Sequence, residues 1–433
     1  MPKEKRNLSR EEKKHISVTV VGAGISGLRA AQLLQHEGFN VKVLEASNYI
    51  GGRLKTNRRL AFPFDEGGSW IHTPIGNPLT EIASKSNTKT FITEENNIIL
   101  YNEHGKRISR NIYLKEKERF MYIFNSLSRY GKKGKSFAEI SKQYFPDKND
   151  LINQFLFSTY LSLNIGDFYN LSSKYYDIGK VFKGPDTFLI DGFDSLIKYL
   201  ATDLNVILNT RVKEIDYTYP KVQIKTSTNE YISDYVIVTV PLGVLKKKII
   251  KFIPELPKEK QDAINNIGVF NVNKVYLQWE TPFWDNEQFI GITSHNVQKF
   301  NYFVNANKMN STQHALITFA YGDEARKMEE KKDEVIIEEV MQNLKVIYGK
   351  TIPFPTSILR SNWINNVNTY GSYSFPNVDT TPLHFDHMAE TVENKVFFAG
   401  EHTIKDYFSY SHGAYLSGFR EADKIIQDYN KRR

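Results

Sequence analysis

The residues with the clearest chemical purpose are Gly22, Gly24, Gly27 and Glu45. The glycines sit in Gly22-Ala23-Gly24-Ile25-Ser26-Gly27, a G-x-G-x-x-G turn, and the acid follows a short apolar run. That spacing suits the pyrophosphate of a dinucleotide. Gly22 permits a tight turn, Gly24 lets backbone approach phosphate, and Gly27 lets a helix pack close to a sheet. The helix N-terminus adds free N–H groups and a partial positive charge. Glu45 accepts hydrogen bonds from a ribose diol and would repel a 2′-phosphate, which favours FAD or NAD over NADP. Gly51, Gly52 and Arg53 suit a second backbone turn near phosphate. Phe64–His72 holds Gly67, Gly68, Ser69 and Trp70, and glycines this dense point to close approach of a ligand or another backbone. Lys274 lies in the apolar pattern Val272–Leu277. A buried lysine is costly unless paired, so from these residues alone an outward-facing strand lysine is the simpler reading. His72, as a lone histidine, fits a structural role equally well.

The elements around the glycine turn explain how it is held. Ile16–Val21 is β-branched and reads as a strand. Leu28, Ala30, Ala31, Leu33 and Leu34 give a helix an apolar face, and Asn40–Leu44 is a second buried strand. Asp234–Thr239 and Val396–Ala399 have the continuous apolar character of strands in a parallel sheet. Between them lie helices (Leu114–Tyr130, Asp150–Leu163, Glu329–Leu344) and alternating runs (Val272–Trp279, Phe289–Ile292, Tyr302–Val304, Ala315–Ala320) that read as an antiparallel sheet. The fold class expected is α/β, α+β overall. A Rossmann-like dinucleotide domain is built from the discontinuous segments 15–76, 184–258 and 371–433. A mixed-sheet and helical substrate-binding domain takes 77–183 and 259–370.

Composition narrows the field. The chain has 433 residues, 57 basic and 49 acidic, for a net charge of +8. The basic residues are scattered, which fits a solvated surface and not a nucleic-acid substrate. Gly131-Lys132-Lys133-Gly134-Lys135-Ser136 is spaced too closely for a phosphate loop. There is no cysteine, so disulfides and thiolate chemistry are excluded. No metal site is expected. No apolar run approaches the roughly 20 residues of a membrane span. Residues 1–14 are charged, without an apolar signal core, and read as a disordered basic tail. No membrane partner is expected, and a cytoplasmic setting is; monomer and homo-oligomer stay open.

Phe397-Phe398-Ala399-Gly400-Glu401-His402-Thr403 and Tyr410-Ser411-His412-Gly413-Ala414-Tyr415-Leu416-Ser417-Gly418 resemble the tail of the flavin-dependent amine oxidases, nearest to the polyamine oxidases. Islands at Thr239–Leu245 and Gly371–Ser374 extend the likeness. The resemblance implies FAD as cofactor. Glycines 22, 24 and 27 with Glu45 match its AMP side, and Gly51, Gly52 and Arg53 match the pyrophosphate loop. Gly68, Ser69 and Trp70 match the segment beside the isoalloxazine. Val212 matches the residue whose backbone meets adenine. Gly400 and Glu401 match the second phosphate and ribitol contact. Trp363 and Tyr373 resemble aromatics near the ring. Relatives with covalent flavin use a cysteine in the last stretch; this chain has none, so thioether attachment is impossible and FAD is expected to be noncovalent.

The resemblance also assigns chemistry. Lys274 matches the lysine that reaches flavin N5 through a water and assists the oxygen half-reaction. His72 resembles the active-site histidine of animal-type polyamine oxidases, and Tyr410 matches the aromatic wall facing the flavin. The implied reaction takes a small cationic polyamine and O2. Hydride leaves the carbon next to a neutral secondary amine, the iminium hydrolyses to an aldehyde and a shorter amine, and dioxygen yields hydrogen peroxide. A desolvated pocket lowers the amine pKa, so no strong base is required. The tunnel should be locally acidic; Asp167, Asp186 and Glu280 are candidates by region only. The alternatives are a monoamine or L-amino-acid oxidase, a histone-lysine demethylase, and a non-enzymatic FAD-binding protein.

Overall fold

Ser17–Val21 is the middle strand of a five-stranded parallel sheet. Its order is Val396–Phe398, Tyr235–Val238, Ser17–Val21, Asn40–Leu44 and Val206–Ile207. The computed structural model describes residues 11–60, 62–147, 150–163, 165–296 and 298–431. Successive side chains of a strand point to opposite faces, and this sheet uses both. Val18, Val20, Val41, Val43 and Ile237 pack against the helices Ile25–His36, Asp194–Leu200 and Ser411–Lys431. Val21, Leu44, Val236, Val238 and Phe398 pack on the other side. There they meet a four-stranded sheet and the helices Lys258–Asn266 and Pro382–Ala389. The result is a Rossmann-like three-layer region assembled from separated stretches of chain.

The strand expected over Asp234–Thr239 spans Tyr235–Val238, and a separate strand, Glu230–Ser233, precedes it. Glu230–Ser233 belongs to the four-stranded sheet and Tyr235–Val238 to the parallel one. The break is at Asp234, whose carboxylate accepts from Ser17 N at 2.8 Å and Ser17 Oγ at 2.7 Å. A side chain thus takes over where the backbone ladder changes partner.

The second region is a six-stranded mixed sheet in the order Ser357–Arg360, Val272–Gln278, Ala315–Tyr321, Lys299–Asn305, Phe289–Ile292 and Ile98–Tyr101. Val275, Leu277, Leu316 and Ala320 face the helix Asp333–Tyr348. Val272, Tyr276, Ile317 and Phe319 face the other way, into the same cluster as Phe64 and Phe188. Period-two alternation puts Lys274 on that inner face with Val272 and Tyr276.

Two further sequence expectations change. Glu329–Leu344 is not one helix: Gly322–Glu329 ends where Glu329 turns inward, and Asp333–Tyr348 starts afresh. The Glu329 carboxylate accepts from the backbone N–H groups of Trp363, Ile364 and Asn365 at 2.8, 2.9 and 2.8 Å, so it anchors a loop. Of the tail expected to be disordered, residues 1–10 lie outside the described residues. Lys13 is ordered, 4% exposed and paired with Glu37 at 3.0 Å.

Candidate active site

The glycine turn lies between Ser17–Val21 and Ile25–His36, at the carboxyl end of the sheet. Gly22 has φ +109, a conformation that favours glycine. A Cβ at Gly27 would lie 2.0 Å from the Gly22 carbonyl oxygen, so the helix sits against the turn. A Cβ at Gly24 would meet nothing within 4 Å. Gly24 is also the N-cap, without a side-chain cap, and the first helical turn has no acid. Helix amides with no partner from the chain and an open face over them are what a pyrophosphate requires. Gly51 donates its N–H to the Ala23 carbonyl at 2.8 Å, laying the second glycine pair beside the first turn.

Glu45 ends its strand buried, accepting from Ala23 N and Ser47 N, both at 2.7 Å. A carboxylate has about four lone-pair sites, so capacity for a ribose diol remains. Arg53 Nη1 donates to Glu401 Oε1 and to the Ser372 carbonyl, each at 2.9 Å. Its other guanidinium nitrogens have no hydrogen-bond partner among the described residues. Glu401 is buried and also accepts from Ser374 Oγ at 2.5 Å and Ser409 N at 3.1 Å. Burial alone would raise its pKa, but Arg53, His402 and the Ser374 hydroxyl outweigh that and hold it below the usual glutamate range. This donor set, with its open glycine face, fits a dinucleotide.

Lys274 is 7% exposed, and the outward-facing reading does not hold. Its ammonium crosses to the loop before Trp70, donating to the carbonyls of Asp65 (3.1 Å) and Gly67 and to Ser69 Oγ (2.5 Å). It also lies 5.4 Å from the centre of the Trp70 ring. Burial lowers its pKa, with Asp65 opposing; burial likewise raises the Asp65 carboxyl. Trp363 lies beyond the strand Ser357–Arg360, and its indole donates to the Glu66 carbonyl at 3.2 Å. Tyr373 donates to the carbonyls of Ser162 and Leu163 at 3.0 and 3.2 Å.

One cavity connects these groups. Its empty space is about 2410 Å³, including the part open to solvent. Gly22, Gly24, Glu45, Gly51, Gly52, Arg53 and Val212 line one part. Gly68, Ser69, Trp70, Lys274, Trp363, Tyr373, Gly400, Glu401 and Tyr410 line the middle. His72, Asp186, Tyr113, Tyr160, Tyr302 and Phe289 line the rest. Of the cofactor-binding and catalytic residues expected at the site, all but Gly27 line the cavity; Gly27 packs behind the turn.

Asp186, a candidate by region only in the sequence, lines this cavity. His72 Nδ1 lies 2.6 Å from Asp186 Oδ2, and Thr73 N donates to Oδ1 at 2.9 Å. Tyr410 meets the His72 ring edge-on at 5.3 Å and stacks on His412 at 4.9 Å. Asp167 instead caps its own turn at Tyr169 and Asn170, and Glu280 does not line the cavity. Among the cavity carboxylates, Glu66 pairs with Lys55, Glu95 with Lys117 and Glu401 with Arg53. In the part beyond Trp70, Asp186 is the acid with no lysine or arginine bridge among the described residues.

The family model for flavin containing amine oxidoreductases matches residues 25–426. The chain belongs to that family. Its cofactor is accordingly FAD, and the cradle above fits it. Polyamine oxidase 2 of Arabidopsis thaliana is 30% identical over 443 residues, covering 96% of this chain and 90% of that protein. Lysine-specific histone demethylase 1 homolog 2, also from Arabidopsis thaliana, is 32% identical, and the match covers 97% of this chain but 60% of the demethylase. A redesigned putrescine oxidase shares the fold of this amine oxidoreductase, with TM-score 0.81 at 20% identity, covering 95% of this chain and 99% of that one.

Proposed function

We propose that this amine oxidoreductase oxidises a polyamine at the carbon next to a secondary amine, giving an aldehyde and a shorter amine. The carrying observation is the lining of the cavity: Tyr113, Tyr160, Tyr302 and Tyr410 share it with Asp186, which has no lysine or arginine partner among the described residues. Aromatic faces attract cations and developing positive charge, and a carboxylate inside that wall favours a substrate with ammonium groups. The polyamine oxidases match this chain over most of their length, whereas the match to the demethylase leaves 40% of that protein uncovered, from a coverage of 60%.

FAD, when bound, accepts the hydride and passes its electrons to dioxygen, releasing hydrogen peroxide. Arg53 and the open N-terminus of Ile25–His36 would hold its phosphates, Glu45 a ribose, and Val212 the adenine end. Glu401 would hold Arg53 in place while its own charge is spent on that pair and on Ser374 and Ser409. Lys274 is proposed for the oxygen half-reaction; its burial on the 65–69 loop keeps its charge adjustable. Tyr410 and Trp70 exclude water and orient the reacting carbon. His72 binds the substrate nitrogen.

The test is a panel of spermine, spermidine, their acetylated forms, monoamines, L-amino acids and a methyl-lysine peptide, with peroxide and products measured. Turnover of polyamines with a shorter amine as product supports the proposal. Turnover confined to monoamines, amino acids or the peptide overturns it.

A further inference from the structure

We propose that His72 is a base that takes the proton from the incoming substrate ammonium, and that Asp186 is the positioning residue that makes it one. The inference rests on the amine-oxidising reading of the site and adds a proton acceptor that the sequence did not require. The two residues are 114 positions apart in the chain, and the fold brings Nδ1 of His72 to 2.6 Å from Oδ2 of Asp186. An ionised carboxylate only accepts hydrogen bonds. Burial would raise the Asp186 pKa, but the His72 contact and the Thr73 N–H outweigh it and hold the group below the usual aspartate range. In the neutral imidazole the proton between the two residues therefore sits on Nδ1, which leaves the lone pair on Nε2.

The surroundings fix this arrangement. Thr73 has φ +46, rare for a β-branched residue, and that turn delivers its N–H to the second oxygen of Asp186. Asn77 donates to the His72 carbonyl at 2.8 Å and caps the helix Pro78–Lys85 through Leu79 N at 3.0 Å. It also holds His412 Nδ1 at 3.2 Å. The titratable groups facing His72 are Asp186, Tyr410 and His412. Burial pushes Tyr410 up to about 12 and His412 down to about 3, so both are neutral through the working range. Among the described residues, Asp186 is the charge paired with His72.

The step balances simply. The ammonium R2NH2+ gives its proton to Nε2, leaving the neutral amine whose lone pair assists hydride departure. His72 becomes an imidazolium stabilised by Asp186, which stays ionised. Solvent later takes the proton. Asn at 186 would donate to Nδ1, move the histidine proton to Nε2, and abolish the acceptor.

The experiment measures flavin reduction by spermidine in the holoenzyme under anaerobic rapid mixing, from about pH 6 to about pH 11. In Asp186→Asn and in His72→Gln, reduction at pH 7 is expected to slow about 100-fold. The deficit should shrink as the pH approaches the amine's own pKa, about 10, where solution supplies the neutral amine. Asp186→Glu should keep most of the rate. If Asp186→Asn binds no FAD, His72→Gln carries the same pH signature alone. Rates equal to wild type, or a deficit constant across pH, would overturn the proposal. A wild-type flavin that no amine reduces at any pH would overturn the amine reading itself, and this with it.

Discussion

Lys274 and Glu401 are buried ionisable groups, and each has a stated partner set. The Lys274 ammonium has three donors, and the structure occupies them with Asp65 O, Gly67 O and Ser69 Oγ. Lys274→Met keeps the stem and removes the head. Reoxidation of reduced enzyme by dioxygen should slow about 100-fold while FAD content stays near wild type; equal loss of both would refute a role in the oxygen step. Glu401 has a pKa depressed from 4.5. A depressed acid stabilises the fold fully above the unfolded pKa, and that contribution is lost as pH falls through the lower, folded value. Stability measured by denaturant should therefore fall below about pH 4.5 more steeply in wild type than in Glu401→Gln. At pH 7 the variant should be about 2–3 kcal/mol less stable, because Arg53 loses its partner. Lys274 shows what the sequence alone leaves undecided. Its strand was legible, but which face is buried depends on a loop two hundred residues earlier.

At the scale of elements, the glycine turn separates two roles that a motif cannot. Gly27→Ala places a methyl 2.0 Å from a backbone oxygen and 2.9 Å from Thr239 Oγ1. Overpacking of this kind costs about 1–3 kcal/mol or more, so both the melting temperature of apo protein and FAD binding should drop. Gly24→Ala meets no protein atom within 4 Å. Apo stability should change by no more than about 1 kcal/mol, while FAD affinity falls sharply. Calorimetry of stripped protein with flavin titration separates the two; matching losses would contradict the open face assigned to Gly24. The strand–turn–helix unit was readable because the residues that shape its turn are adjacent in the chain. Asp234 was not, since the apolar pattern runs on through a residue that moves the chain from one sheet to another. The helix expected from Glu329 to Leu344 was misplaced for a related reason: Glu329 ends the preceding helix, where the loop 363–365 folds onto its carboxylate.

At the scale of the molecule, the cavity lies between the parallel sheet and the mixed sheet, and residues of both line it. FAD bound there would touch both, so it should stabilise the protein as one unit, by about 2.7 kcal/mol at a hundredfold excess over Kd. Two thermal transitions in the holoenzyme, with only one moved by flavin, would argue against this. The alternation of segments was legible from strands that return late in the chain. The pair His72 and Asp186 was not, because its members lie in loops whose meeting depends on strand Trp70–Ile71 pairing with Thr187–Leu189. The function proposed for the whole arrangement is amine oxidation on a polyamine, and anaerobic mixing of purified holoenzyme with spermine and spermidine tests that in one observation. The flavin absorbance should bleach and return on admission of air with peroxide formed; a flavin that stays oxidised with both, yet bleaches with a monoamine, would contradict it.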